Sequence, residues 1–376
     1  PGLDAFRREM PDVPVYAGAY PSELVAGATE MVVSPGVAMD ADIVREAQGA
    51  GVSIVGDIDL FVREATAPVV GITGSNAKST VTELVGQMAR DANLNVGVGG
   101  NLGTPALDLL DPARSLYVLE LSSFQLERAG DLKLAVATVL NVSPDHLDRH
   151  GSMPRYHQAK HRIFRGCHKA VVNRDDPLTI PLVAPGVEVI SWRMGKPELD
   201  GFGLAEVDGQ ESLCHGFESL LPVGELGLVG RHNVANALEG IALGHAAGLS
   251  LVTLLETLRN FRGLPHRCQQ VAEIGGVSYV NDSKGTNVGA TIAALKGMGR
   301  GRNIVLNAGG QGKGADVGQL RETVARHCKS LVLLGEDAAK IQAALGDSAP
   351  VTLVSSMADA VSAAAELAGT GDVVLL

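Results

Sequence analysis

Cysteine is scarce in this chain. It has four, at positions 167, 214, 268 and 328, far apart and without a CxxC pair. Neither a zinc site nor a disulfide framework is indicated, and a reducing cytosol is the expected compartment. No apolar run reaches the length of a membrane span. Positive charge is also short: 31 Lys and Arg against 42 Asp and Glu leave −11. Nucleic-acid affinity comes from clustered cations, so a general polyanion binder is disfavoured. An anionic ligand has to be held by helix N-termini and a few placed cations. There is no Ser-His-Asp or Cys-His arrangement, no internal repeat and no low-complexity tract. The chain opens on Pro1 and stops on the apolar run "GDVVLL", and both ends read as trimmed.

What is present fits a globular α/β protein: 376 residues, 45% apolar, 19% charged, with 46 glycines. That length suggests two or three domains. Apolar runs of strand length, among them "PVVGIT", "SLYVLEL", "LAVATVLNV", "KAVVN", "RNIVLNAGG" and "DVVLL", alternate with helix-period segments. This is the pattern of stacked βαβ units. Helices are expected at 79–92, 153–165, 233–247, 251–260, 287–297, 317–327 and 358–368, and a lobe of short strands and loops at 178–228. "GDIDLFVREATAP" and "FRGLPHR" read as joints. They divide the chain into domains 1–56, 57–263 and 264–376.

One stretch carries chemistry. In "VVGITGSNAKST" a β-branched strand, Val69 to Thr73, leads through small residues into a helix whose Val81, Leu84, Val85 and Met88 share a face. N–H groups of 74–79 would then face phosphates at the positive end of a helix dipole. Lys78 would reach the β and γ oxygens, and Ser79 would ligate Mg²⁺. Ala77 and Ile72 stand where the usual phosphate loop has glycine. If Ala77 sat at positive φ it would cost roughly 1 kcal/mol relative to Gly. The bland alternative is an ordinary βα turn. Glu120 lies near the end of the strand "YVLEL", where a parallel sheet places ligand groups. Alone it would be a solvated charge; beside a phosphate loop it is a further Mg²⁺ ligand. Asp145, His146, Asp148 and His150 crowd "NVSPDHLDRHG" just past a third strand. They read either as a polar helix start or, with His146, as a metal-side group.

"TGSNAKST", "ELSSFQLE", "NVSPDHLDRHG", "QAKHRIF", "GRHNVANALEG", "GLPHR" and "NDSKGTN" occur in an order that resembles the Mur ligases, over essentially the whole chain. In that family the loop reads TG-x-N-G-K-[ST], so Gly74 is its first glycine and only Ala77 departs. The resemblance implies three α/β domains: a partial Rossmann-like one, a central P-loop ATPase-like one with a mostly parallel sheet, and a Rossmann-like C-terminal one. It implies ATP-dependent activation of a carboxylate as an acyl phosphate, attacked by an amino acid's amine. The wording of "ELSSFQLE" and "NDSKGTN" sides with the branch that adds D-glutamate to UDP-N-acetylmuramoyl-L-alanine. Gly74, Ser75, Asn76, Ala77, Lys78, Ser79 and Thr80 would hold ATP. Asn233 would contact the adenine side, His266 and Arg267 would approach from the third domain, and Asp282 would bind the ribose. Ser79 and Glu120 would hold one Mg²⁺; His146 and a carbamylated Lys160 would serve a second. Ser34, Gly36 and Asn101 would meet the UDP-sugar, and Thr286 and Lys313 the D-glutamate. Gln311 stands where the family often has an acid. A cytoplasmic monomer that binds neither nucleic acid nor membrane is the expectation. A sibling Mur ligase, a folylpolyglutamate synthetase or a P-loop module that only binds ATP are the alternatives.

Overall fold

The computed structural model describes residues 2–228, 230–310 and 316–376; Gln311 and Lys313 lie outside these. Strands β1 (Glu30–Val32) and β2 (Ser53–Val55) form a parallel pair. A central sheet follows, built from β3 (Val69–Thr73), β4 (Val96–Gly100), β5 (Leu116–Glu120), β6 (Val136–Val139), β7 (Lys169–Asn173), β8 (Glu188–Trp192), β9 (Phe202–Val207), β10 (Gln210–His215) and β11 (Glu218–Pro222). Its order is β11-β10-β9-β8-β7-β6-β3-β5-β4. Neighbours from β4 to β9 run parallel, and only the β9–β10–β11 edge is antiparallel. The third sheet holds β12 (Gln269–Ile274), β13 (Val277–Asn281), β14 (Ile304–Gly309), β15 (Cys328–Leu334), β16 (Val351–Leu353) and β17 (Val373–Leu375), in the order β12-β13-β17-β14-β15-β16. It is parallel apart from the β12–β13 hairpin.

The central strands read as unbroken apolar runs because both faces are covered: every residue of β3, β5 and β6 is buried. One face packs Leu84, Met88, Leu238 and Ile241; the other packs Phe61, Tyr117, Leu126 and Tyr156. The helix Lys78–Asp91 lies against the helix Arg231–Ala246. Their close approach needs Gly240, where a Cβ would sit 2.5 Å from Leu84 Cδ2. The expected helix 153–165 ends at His161, with a tighter turn over Arg162–Phe164, and 317–327 opens with such a turn over Val317–Leu320. The short strands foreseen at 178–228 lengthen the central sheet as β8 to β11.

This topology positions the site. β5 lies on one side of β3 and β6 on the other. The strand order thus reverses at β3, and a crevice opens beyond the strand ends there, as it does in open parallel sheets.

Candidate active site

A cavity of about 470 Å³ fills that crevice. The residues at and just past the ends of β3, β5, β6, β7 and β8 line it: Ser75, Glu120, Asn141, Asn173 and Trp192. Residues from the third sheet's domain, Arg267, Asp282 and Thr286 among them, close the other side.

At the β3 end the loop 74–77 turns into the helix with Ala77 at φ 65°, in the left-handed region. The loop is held from outside: Ser75 Oγ donates to Ser143 O at 2.9 Å and lies 2.9 Å from the Tyr156 hydroxyl. Asn76 N donates to Asn141 Oδ1 at 2.8 Å. Lys78 Nζ donates to Gly74 O and Ser75 O at 2.9 and 3.0 Å. From beneath, Lys160 Nζ donates to the same Gly74 oxygen at 2.8 Å and lies 4.6 Å from the centre of the Tyr156 ring. Two ammonium groups on one oxygen repel each other. Burial, and then Lys78, push the Lys160 amine well below its ordinary pKa. Lys78 is lowered too, by burial first, against the pull of Glu120 and Asp145.

Glu120 is 3% exposed. Its Oε1 accepts from Asn101 Nδ2 at 2.7 Å, while its Oε2 is buried without a hydrogen-bond partner. An orphaned buried carboxylate oxygen lining the same cavity as the Ser79 hydroxyl offers hard oxygen donors of the kind Mg²⁺ takes, and Mg²⁺ asks for only one or two protein ligands. Ser79 Oγ accepts from Arg267 Nη2 at 2.8 Å, a bond from just before β12 of the third sheet to the start of the loop helix. Asn287 adds a second link, donating to Asn76 Oδ1 at 3.0 Å and to Asp145 Oδ2 at 3.3 Å.

The far end of the cavity is different in kind. Helix residues Asn233, Asn236 and Glu239 face it with Trp192 and Asn173. Glu239 is 2% exposed; its Oε1 meets Thr138 Oγ1 at 2.7 Å and its Oε2 accepts from Trp192 Nε1. Thr138 has one proton but two acceptors in reach, Glu239 and Val171 O at 3.0 Å. A protonated Glu239 satisfies both, and burial does push this carboxyl up to about 7.

Family models described as the Mur ligase middle domain and the Mur ligase glutamate ligase domain match residues 72–244 and 266–376. The UDP-N-acetylmuramoylalanine–D-glutamate ligase of Pseudomonas aeruginosa is 55% identical, covering 100% of this chain and 84% of that protein. The chain belongs to the Mur ligase family. The protein of the same name from Marinobacter nauticus is 50% identical over the same shares, 100% and 84%. Among solved structures, MurF from Acinetobacter baumannii aligns with TM-score 0.63 at 18% identity, covering 93% of this chain and 88% of that one. MurC from Thermotoga maritima aligns with TM-score 0.58 at 18% identity, covering 92% and 80%. At such identities these two show the fold alone.

In this Mur ligase the cavity gathers most of the expected residues: Ser75 to Thr80, Asn101, Glu120, His146, Asn233, Arg267, Asp282 and Thr286. Gly74 and Lys160 lie outside its lining, joined to each other by the bond described above. His146, at φ 52°, sets its ring edge-on to Phe124 at 4.9 Å, with Nε2 3.7 Å from Asp145 Oδ2. His266 does not reach the cavity. It sits at φ 63° and its Nδ1 is 2.9 Å from Asn281 Nδ2, so the turn sends Arg267 inward and His266 outward. Ser34 and Gly36 are also away from it. Among the described residues no three His, Cys, Asp or Glu side chains form a metal-sized cluster. The sequence reading passed over Asn141, Asn173, Trp192, Asn236, Glu239 and Asn287. Asn141 and Asn173 were findable, since each ends an apolar strand run with a polar residue.

Proposed function

We infer that this Mur ligase joins D-glutamate to UDP-N-acetylmuramoyl-L-alanine at the expense of ATP. The observation that carries this is the full-length 55% identity to a ligase of that name, together with a phosphate loop and a buried, half-satisfied Glu120 in one cavity. ATP would lie with its phosphates on residues 74–80 and its base toward Asn233. The sugar's alanyl carboxylate would attack the γ-phosphoryl group to give an acyl phosphate and ADP. The D-glutamate amine would then displace phosphate. The first step needs in-line positioning and cations around the phosphoryl group, and the second passes through a tetrahedral intermediate at the acyl carbon as phosphate leaves; neither needs a protein nucleophile.

Lys78, in this reading, leaves its own loop carbonyls for the phosphate oxygens, a stronger charge-assisted partner. Ser79 and Glu120 would hold Mg²⁺, which would neutralise the phosphate charge. Arg267 would trade the Ser79 hydroxyl for phosphate, and Asp282 would take the ribose. His146 and Lys160 would serve a second ion. Burial and the Lys78 charge lower the Lys160 pKa, which favours the neutral amine that adds CO₂ and loses a proton to become a carbamate, so an anion would stand where an ammonium would repel Lys78. Asn101 would orient Glu120 as well as meet the sugar, and Thr286 and Lys313 would hold D-glutamate. We place the domain joints near residues 56 and 263, and the enzyme, a monomer, in the cytoplasm with its nucleotide substrates; no described helix is long and apolar enough to cross a membrane.

ADP release assayed with D-glutamate, L-glutamate, glycine and L-alanine side by side tests this. It should require both the UDP-sugar and D-glutamate. Preference for another acceptor, or hydrolysis without either substrate, would overturn it.

A further inference from the structure

Arg128 has no part in the chemistry above, yet it is one of the most constrained side chains in the molecule. It ends the short helix Ser123–Arg128, which follows the Glu120 strand and is fixed at its start by a reciprocal Ser122–Gln125 cap. It is 3% exposed. A buried guanidinium ordinarily answers a carboxylate. Here its N–H groups go to backbone carbonyls instead. Nε donates to Phe124 O at 3.1 Å, Nη1 to Val33 O at 3.0 Å and to Ser34 O, and Nη2 to Pro35 O at 3.2 Å and Val37 O at 3.0 Å.

Arg149 completes the set. It donates to Gly36 O at 3.3 Å and Val37 O at 2.7 Å, while pairing with Glu127 at 3.1 Å. Every carbonyl from Val33 to Val37 therefore accepts from a guanidinium of the central domain. The chain makes room for this: a Cβ at Gly56 would meet Arg128 Cγ at 2.9 Å and Cδ at 3.0 Å. The sheet that carries this loop has only two strands and a small core of Val25, Ala47 and Val52. So small a core gives little area to fix its orientation on the central domain, and a polar clamp can.

We propose that Arg128 is a positioning residue for the UDP-sugar. Its planar fork locks the Val33–Val37 loop, at the C-terminal end of β1, onto the helix behind the Glu120 strand. That lock sets where the substrate's diphosphate lies relative to the reacting carboxylate. The inference rests on the ligase reading and on Ser34 and Gly36 as substrate residues. Lysine cannot replace the fork, because an ammonium has three donors radiating from one nitrogen, where Arg128 reaches five carbonyls from three.

The test compares wild type with Arg128→Lys, Arg128→Met and Gly56→Ala in the full chain, by steady-state kinetics and by amide exchange at Ser34, Gly36 and Val37. The UDP-sugar KM should rise about tenfold or more in all three variants, with the KM for ATP within about twofold, as expected for a displaced substrate rather than a damaged nucleotide site. Exchange in the loop should quicken while β3 stays protected. An unchanged UDP-sugar KM in a folded variant, full rescue by lysine, or equal rises for both substrates would overturn the proposal. The exchange arm reads the clamp without catalysis, so a wild type inactive on these substrates would sink the ligase reading and not the clamp. Unaltered loop exchange would sink the clamp alone.

Discussion

Ala77 occupies the position where the family loop has glycine, and it does so at φ 65°. A Cβ in that region is strained, so Ala77→Gly should stabilise the protein by roughly 0.5–1 kcal/mol in urea unfolding, after the added chain entropy of glycine is subtracted. Glu239 makes a pH prediction. Its carboxyl rises from 4.5 to about 7 on folding. The folded state therefore binds the extra proton between those values, and stability falls as pH rises through that window, by about 3 kcal/mol at most. Glu239→Gln removes the slope: its amide can bond Thr138, which then gives its proton to Val171 O, and its oxygen still accepts from Trp192. The unfolding free energy of the variant minus that of wild type should increase from pH 5 to pH 8. A flat difference would show that Glu239 is ionised throughout.

At the level of elements, the phosphate-loop helix depends on its neighbour. Gly240→Ala puts a methyl 2.5 Å from Leu84 Cδ2. It should cost roughly 1–3 kcal/mol, because a packed core has no slack for one more carbon. If the helix shifts, the KM for ATP should rise with it. Elements with strong periodicity were legible in the sequence: β3, β5, β6 and β7, and the helices behind the loop and at Arg231–Ala246. β4 was not, because in "VGVGG" two valines alternate with glycines, and glycine weakens a strand signal. Its glycines answer tertiary needs, since a Cβ at Gly97 would lie 2.8 Å from Tyr117 and one at Gly99 2.2 Å from Thr104 O. The short helices Leu3–Glu9, Ser22–Ala26 and Asp42–Gly49 lacked a long enough pattern to announce themselves.

Across the whole molecule, the part built on the third sheet is tied to the part built on the central sheet through Arg267–Ser79 and Asn287–Asn76. One bond comes from the last residue of "FRGLPHR" and the other from Asn287 beyond it, and both residues line the cavity. Arg267→Ala with Asn287→Ala should enlarge the radius of gyration in small-angle scattering, and ATP should compact the wild type more than the double variant. Identical scattering profiles would mean that the interface is held by other contacts.

The sequence by itself determined the chemistry on offer: a strand, a small-residue loop and a Lys-Ser helix start, with a carboxylate closing a second strand. Those signals are local, set by neighbours a few residues apart, so they survive in one dimension. The tertiary structure decided which groups meet. It put Lys160 and Lys78 on one carbonyl, 86 residues apart in the first case and 4 in the second. It turned His266 away while admitting Arg267, left one oxygen of Glu120 unpartnered, and drew the Val33–Val37 carbonyls onto Arg128. Burial and mutual distance set the energy of a buried charge or an orphaned oxygen, and both exist only once the strands have packed.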